Sequence, residues 1–165
     1  MNTPRPTHPL DWLALACRIF IGALFIFAAV MKLKDPQAFA FAIGAFKLIP
    51  PTSDHLAVLA AFTLPWLEGI TGLCLLLGLW SRSAALLICL MLIAFMAGIA
   101  RVIANGWNVE CSCFGKFELP CQGPVGACHL IRNSVLLLLT GVVLFRGPGP
   151  FALCGHPLDP AKKPT

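Results

Sequence analysis

Apolar residues run along this chain in long blocks, not in the strict alternation of strands or the one-sided stripes of soluble helices. Four blocks stand out: Trp12–Met31, Leu56–Trp80, Ala84–Ala104 and Val125–Phe145. Each reaches the length of about 20 residues that an α-helix needs to cross the hydrocarbon of a bilayer. In lipid a lone segment can satisfy its backbone polar groups only as a helix, so the pattern predicts four spans. A shorter apolar block lies between the first two. Asp35 suits an N-cap, Pro36 suits the first helical turn, and Ala38 to Ile49 is apolar until Pro50-Pro51 stops it. At about half a span's length, this block predicts an interfacial helix capping the bundle or, more sharply, a lid over a lipid-facing pocket. The expected fold class is an all-α integral membrane protein. It is a four-transmembrane-helix bundle with an interfacial helix between spans 1 and 2 and a Cys-rich loop between spans 3 and 4. Residues 1–165 then form a single membrane domain with short terminal tails. Pro65 predicts a kink or freed carbonyls in span 2, and Gly69 and Gly72 allow close helix contact there. Trp12 and Trp80 fall where an aromatic belt belongs.

Composition agrees, with 58% hydrophobic residues, 12% charged residues and a mean hydropathy of +0.84. A soluble domain carries about twice that charged fraction. The first block is too long for a signal-peptide core, and Lys32-Leu33-Lys34-Asp35-Pro36 follows it in place of a cleavage site, so an uncleaved helix is expected. The net charge of +5 is scattered and lacks a basic run interleaved with aromatics, which argues against nucleic acid. Four spans put both termini on one side. That side carries Arg5, Arg82, Arg146, Lys162 and Lys163, against Lys32, Lys34, Lys47 and Lys116 on the other, with Arg101 near its surface. The positive-inside rule barely discriminates between these counts. Clustered loop cysteines suit an oxidising compartment. The expectation is therefore a multi-pass protein of a bacterial-type inner (plasma) membrane, with cytoplasmic termini and a periplasmic or extracellular Cys loop.

Arg18, Glu68 and Arg132 fall inside the predicted spans. Each costs about 2.5–3.5 kcal/mol at mid-membrane and so needs a partner or a polar cavity. Arg18 and Arg132 are both candidates to reach the Glu68 carboxylate. The result would be either a structural ion pair that sets helix register or a polar pocket for a quinone headgroup or a proton relay.

Eight cysteines divide by position. Cys17, Cys74 and Cys89 lie within apolar spans as small hydrophobes, and Cys154 lies in the tail near His156. The other four, Cys111, Cys113, Cys121 and Cys128, share one segment beginning Cys111-Ser112-Cys113-Phe114-Gly115. As staples they would form two disulfides, with three possible pairings; a Cys111–Cys113 bridge would be strained and easily reduced, and cross-pairing with Cys121 and Cys128 more relaxed. A zinc site is disfavoured because the usual spacing of two to four residues within a ligand pair is missing. As a redox centre, Cys111 and Cys113 would exchange with a partner's thiols, while Cys121 and Cys128 act as a resolving pair or a structural disulfide. Spacing alone leaves the staple and the redox centre both standing. His129, beside Cys128, is the one histidine near this loop and reads as an interface residue.

The order of these pieces resembles the DoxX/MauE family of four-helix membrane proteins. Arg18, Gly22 and Phe25 come first, then Lys32-Leu33 with Asp35-Pro36, Pro65-Trp66 with Glu68 and Gly72, Cys111-x-Cys113-Phe114-Gly115, and Arg132-Asn133. Cys-x-Cys-Phe-Gly is similar to the MauE-like, redox-associated branch, although Ser112 stands where a glycine is frequent. The resemblance implies a role in the maturation of methylamine dehydrogenase, partnership with thioredoxin-like proteins and, through DoxX relatives, thiosulfate:quinone chemistry. Two functions follow as expectations. The first is thiol–disulfide exchange on an exported redox protein at the outer membrane face, with quinone as a candidate cofactor near Arg18, Glu68 and Arg132. The second is a non-catalytic accessory or assembly subunit of a larger membrane complex. A transporter ranks below both, because no duplicated halves are present.

Overall fold

The computed structural model describes residues 9–46, 54–107, 109, 121 and 124–147. Within them the chain is helical, in the order α1 (Pro9–Lys34), α2 (Pro36–Ala45), α3 (Asp54–Leu77), α4 (Ser81–Ala104) and α5 (Ala127–Arg146). Four of these, α1, α3, α4 and α5, are long and apolar enough to cross a membrane. They form an up–down–up–down ring in chain order: α1 lies against α3, α3 against α4, α4 against α5, and α5 closes on α1. The tight turn at residues 78–80 makes α3 and α4 antiparallel neighbours, whereas the other spans are joined by longer segments, one of them containing α2. The short helix α2 rests on α3 and touches α1.

The helix ends follow from local chemistry. The Asp35 side chain accepts a hydrogen bond from the Ala38 amide at 3.1 Å, and Pro36 opens α2, as the sequence predicts. The helix closes at Ala45, short of the expected Ile49, whose position lies outside the described residues. Span 2 ends at Leu77 rather than Trp80. Gly78 takes a left-handed φ of 74°, and the Leu79 amide donates back to the Cys74 carbonyl at 2.8 Å, which stops the helix. Trp80, also left-handed at φ 45°, therefore sits in the turn before α4 instead of closing a span. The same device ends α4: Gly106 has φ 66°, and the Trp107 amide donates to the Val102 carbonyl at 3.1 Å.

The tightest crossing lies between α1 and α3. A Cβ on Gly22 would stand 2.9 Å from the Gly72 carbonyl oxygen, and one on Gly72 would stand 2.9 Å from the Gly22 carbonyl oxygen. Backbone thus meets backbone, which only glycine permits. A Cβ on Gly69 would meet Ala29 one further turn along, so Gly22, Ala29, Gly69 and Gly72 form a small-residue seam. One half of the bundle is filled by Ile21, Phe25, Leu75, Ala85, Ile88, Leu92, Leu136 and Val143, and the end near the Cys loop by Ile99, Val102, Val109 and Val125. Exposed apolar side chains cover the outside of every span, among them Phe20, Phe27, Phe62, Trp66, Ile70, Leu90, Val135 and Leu138. A helical bundle apolar both inside and outside is built for lipid contact. Two buried hydroxyls inside the spans bond back into their own helices: Thr71 and Thr140 donate at 2.7 Å to the carbonyls of Leu67 and Leu136.

Because backbone blocks any side chain at the seam, Gly72→Val should lower stability by about 1–3 kcal/mol through overpacking. Gly44→Ala, where a Cβ meets open space, should not. Thermal unfolding of the two variants in detergent checks the contrast.

Candidate functional site

Lys32, His129 and Asn133 are buried toward the end of the bundle that carries the Cys loop, and the α1–α3 register decides which partner Lys32 meets. With Gly22 against Gly72, the chain direction of two antiparallel helices brings the end of α1 to the middle of α3. Lys32 is there, and its ammonium donates to the Glu68 carboxylate in a buried ion pair. Glu68 and Lys32 are 1% and 3% exposed, so neither charge meets water or lipid. The remaining faces of the ammonium look onto two rings, Phe39 of α2 at 4.9 Å and Phe95 of α4 at 5.0 Å. Cation–π attraction of this kind is strongest when desolvated, worth about 2 kcal/mol or more. The second carboxylate oxygen, Oε2, is buried and accepts no hydrogen bond.

This corrects two expectations. Lys32, counted as a loop charge, is a core residue, because α1 continues to Lys34 rather than ending at Met31. The carboxylate also takes this lysine and not a guanidinium. Arg18 is buried on α1 but lies fourteen residues before Lys32, which is about 21 Å along a helix. Sequence reasoning missed the Lys32–Glu68 pair. The signal for it was the small-residue seam, which fixes the register once Gly22 is set opposite Gly72.

Arg132 is placed elsewhere, on the first turns of α5 beside the sulfur chemistry. The residues before α5 turn sharply: the Val125 amide donates to the Val109 carbonyl at 2.8 Å, Gly126 caps the helix, and His129 Nδ1 accepts from the Gly126 amide at 3.4 Å. His129 is therefore buried as a capping residue rather than an exposed interface residue. This turn brings Cys121 against the start of α5, where it forms a disulfide with Cys128, with a Cα–Cα separation of 5.8 Å. Cys121 is 3% exposed, whereas Cys128 faces outward. The bond thus joins a buried residue to an exposed one. With Cys121 and Cys128 joined to each other, neither cross-pairs with Cys111 or Cys113, which lie outside the described residues.

The disulfide lines one end of a groove of about 600 Å³. Arg132, one helical turn beyond Cys128, lines it too, followed by Val135 and Leu139 of α5, with Phe20 contributed by α1. Of the three residues expected to share a pocket, the structure therefore sets Arg132 beside the disulfide, Glu68 beside Lys32, and Arg18 well along α1 from that pair.

Comparison with known proteins now gives the family. The family model described as "Methylamine utilisation protein MauE" matches residues 10–146, which takes in all five helices but the first residue of α1. The chain belongs to the MauE family. It is 29% identical over 125 residues to methylamine utilization protein MauE of Paracoccus denitrificans, covering 75% of this chain and 64% of that protein. It is 25% identical over 149 residues to the protein of the same name in Methylophilus methylotrophus, covering 90% of this chain and 74% of that one. The chain thus spans somewhat less than two thirds of the Paracoccus protein's length. No solved structure gives a significant match. The MauE match rests on the same helices that carry the ion pair and the disulfide.

Removing one partner of a buried pair strands a charge, so Lys32→Met should cost about 3–5 kcal/mol. In Lys32→Met/Glu68→Gln no charge is left stranded, and most of that stability should return. Melting temperatures of the single and double variants in detergent give the comparison, and equal losses in both would show that the pair itself is not the issue.

Proposed function

We propose that this membrane protein works in methylamine utilisation by exchanging disulfides with an exported redox protein at the outer face of the plasma membrane. Cys111 and Cys113 meet the partner, an exported or thioredoxin-like protein with its own thiols. Cys121 and Cys128 take the reducing equivalents onward. The observation that carries this reading is the Cys121–Cys128 disulfide, closed at the mouth of the bundle with Cys128 an exposed residue. Cys128 is the second residue of α5, where the helix dipole presents partial positive charge, an arrangement that supports a sulfur anion during exchange. The relatives' names supply the metabolic setting.

Burial of Lys32 also bears on orientation. It removes one positive charge from the Cys-loop side and leaves the five of Arg5, Arg82, Arg146, Lys162 and Lys163 on the other. The positive-inside rule then favours cytoplasmic termini and a periplasmic or extracellular loop.

The embedded Cys121 favours a second reading, in which the disulfide only clamps the loop and the protein is an assembly subunit of a larger membrane complex. Single substitutions separate the two. In exchange, Cys111→Ser or Cys113→Ser accumulates a mixed disulfide with the exported partner, seen as a thiol-sensitive band on a non-reducing gel. Normal partner maturation in both variants would leave only the assembly role.

A further inference from the structure

At the end of the bundle away from the Cys loop, α4 begins where α5 finishes, and several donors there lack acceptors. Trp80 precedes α4 without a side-chain cap, so the amides of Ser81, Arg82 and Ser83 open the helix with no capping acceptor. Ser81 is 4% exposed, and its Oγ is buried with no hydrogen-bond partner. Because Cβ bonds tilt toward a helix's N-terminus, the hydroxyl of this first residue lies at the open end. The Arg82 Nε is likewise buried and unpartnered, and among the described residues no ion pair engages this guanidinium. The guanidinium reaches across to the end of α5: a Cβ on Gly147 would stand 3.7 Å from its Nη2 and 3.8 Å from its Nε. The carboxyl end of α5 favours the cation through its dipole, yet Nε donates to none of its carbonyls. Arg146, the last residue of α5, is exposed one position before that glycine. The corner also has a definite depth. Candidate spans begin at Ser81 and end at Arg146, so it lies where hydrocarbon gives way to headgroups. Trp80, 73% exposed, sits at the same level, as residues of an aromatic belt do.

We propose that this corner binds the phosphate of an anionic phospholipid headgroup. The site is separate from the sulfur chemistry and does not depend on the exchange reading. An oxyanion suits all three kinds of donor present. Helix-terminal amides and the positive end of the dipole favour it, the Ser81 hydroxyl can donate to it, and a guanidinium gives it charge-assisted hydrogen bonds. A cationic ligand would instead meet two arginines and the positive end of α4. Charge supports the same choice, since the described residues at this end carry Arg82 and Arg146 against Asp11 in the first turn of α1. Phospholipid phosphates are the oxyanions that the bilayer supplies at this depth, and basic pockets between spans are a known way to hold them. The bound headgroup ties the start of α4 to the end of α5. Those two helices flank the Cys loop at their other ends, so the lipid steadies the hairpin that carries it.

The test uses the full-length chain in dodecyl maltoside. Palmitoyl-oleoyl phosphatidylglycerol is titrated in, and bound lipid is counted by native mass spectrometry. Phosphatidylcholine with the same chains, and sodium phosphate without lipid, are run in parallel, with the melting temperature read for each. Phosphatidylglycerol should be retained and should raise the melting temperature, because a ligand of the folded state stabilises it. Phosphatidylcholine and free phosphate should do so far less. Arg82→Gln should weaken retention about tenfold or more, since it removes a charge-assisted donor. Ser81→Ala, a small change that suits a helix, should weaken it to a lesser degree. Arg101→Gln removes an exposed cation at the other end of the same helix and should leave retention as it was. If Arg82→Gln does not fold, Ser81→Ala carries the comparison. Equal retention of the two lipids overturns the proposal, as does unchanged retention in both Ser81→Ala and Arg82→Gln. An equal loss in Arg101→Gln also overturns it, because general attraction to a basic protein would then suffice. A full melting shift from sodium phosphate alone overturns the lipid source and makes the ligand a soluble anion.

Discussion

The Lys32–Glu68 ion pair is the constraint on which the Cys-loop end of this bundle depends. A buried carboxylate and a buried ammonium are tolerable in a membrane only together, and only with their remaining surfaces covered. The lysine comes from α1, the glutamate from α3, and the two covering rings from α2 and α4. Four of the five helices therefore converge on one ammonium. Sliding α1 along α3 by a turn would separate the charges by about 5 Å in hydrocarbon, so the pair fixes register as well as contact. The glycine seam makes this possible, since the backbones must approach closely for a lysine at a helix end to reach the partner span.

This arrangement also gives α2 a physical role. Through Phe39 it covers the buried Lys32 ammonium. Asp35 and Pro36 start α2 one residue after α1 ends, which holds Phe39 over the ammonium set one turn before the break. The expected capping helix is thus a cover for the ion pair. The groove with the disulfide lies on a different side, between α5 and α1, so the polar core and the sulfur chemistry occupy separate places at the same end. Keeping them separate has a chemical logic. The two charges of the pair neutralise each other, and Arg132 beside the disulfide is the charged side chain among the groove's lining residues.

Much of the architecture was legible in order along the chain. Block length and composition predict four spans, because lipid permits few alternatives to a helix about 20 residues long. The start of α2 was legible from Asp35-Pro36, since capping depends on neighbouring atoms. Helix ends were less so. Leu79-Trp80 reads as a continuation of span 2, yet the left-handed turn at Gly78 ends α3 earlier. At the candidate site the cysteines were visible as a cluster, but spacing favoured cross-pairing of Cys111 and Cys113 with Cys121 and Cys128, whereas the turn at Val125 and Gly126 brings Cys121 to Cys128.

The sequence alone determined what must be buried, what must face lipid, and which residue types could carry chemistry, because those follow from the transfer cost of each side chain and from periodicity within one helix. Tertiary structure decided which charge answers which. Along the sequence Arg18 and Arg132 were the candidates for Glu68 and Lys32 was counted as a loop charge; nothing local to any of them selects a partner. The choice came from the crossing of Gly22 with Gly72, a contact between residues fifty positions apart that sets α1 against α3. That register sends Lys32 to the carboxylate, while the turn before α5 sets Arg132 beside the disulfide.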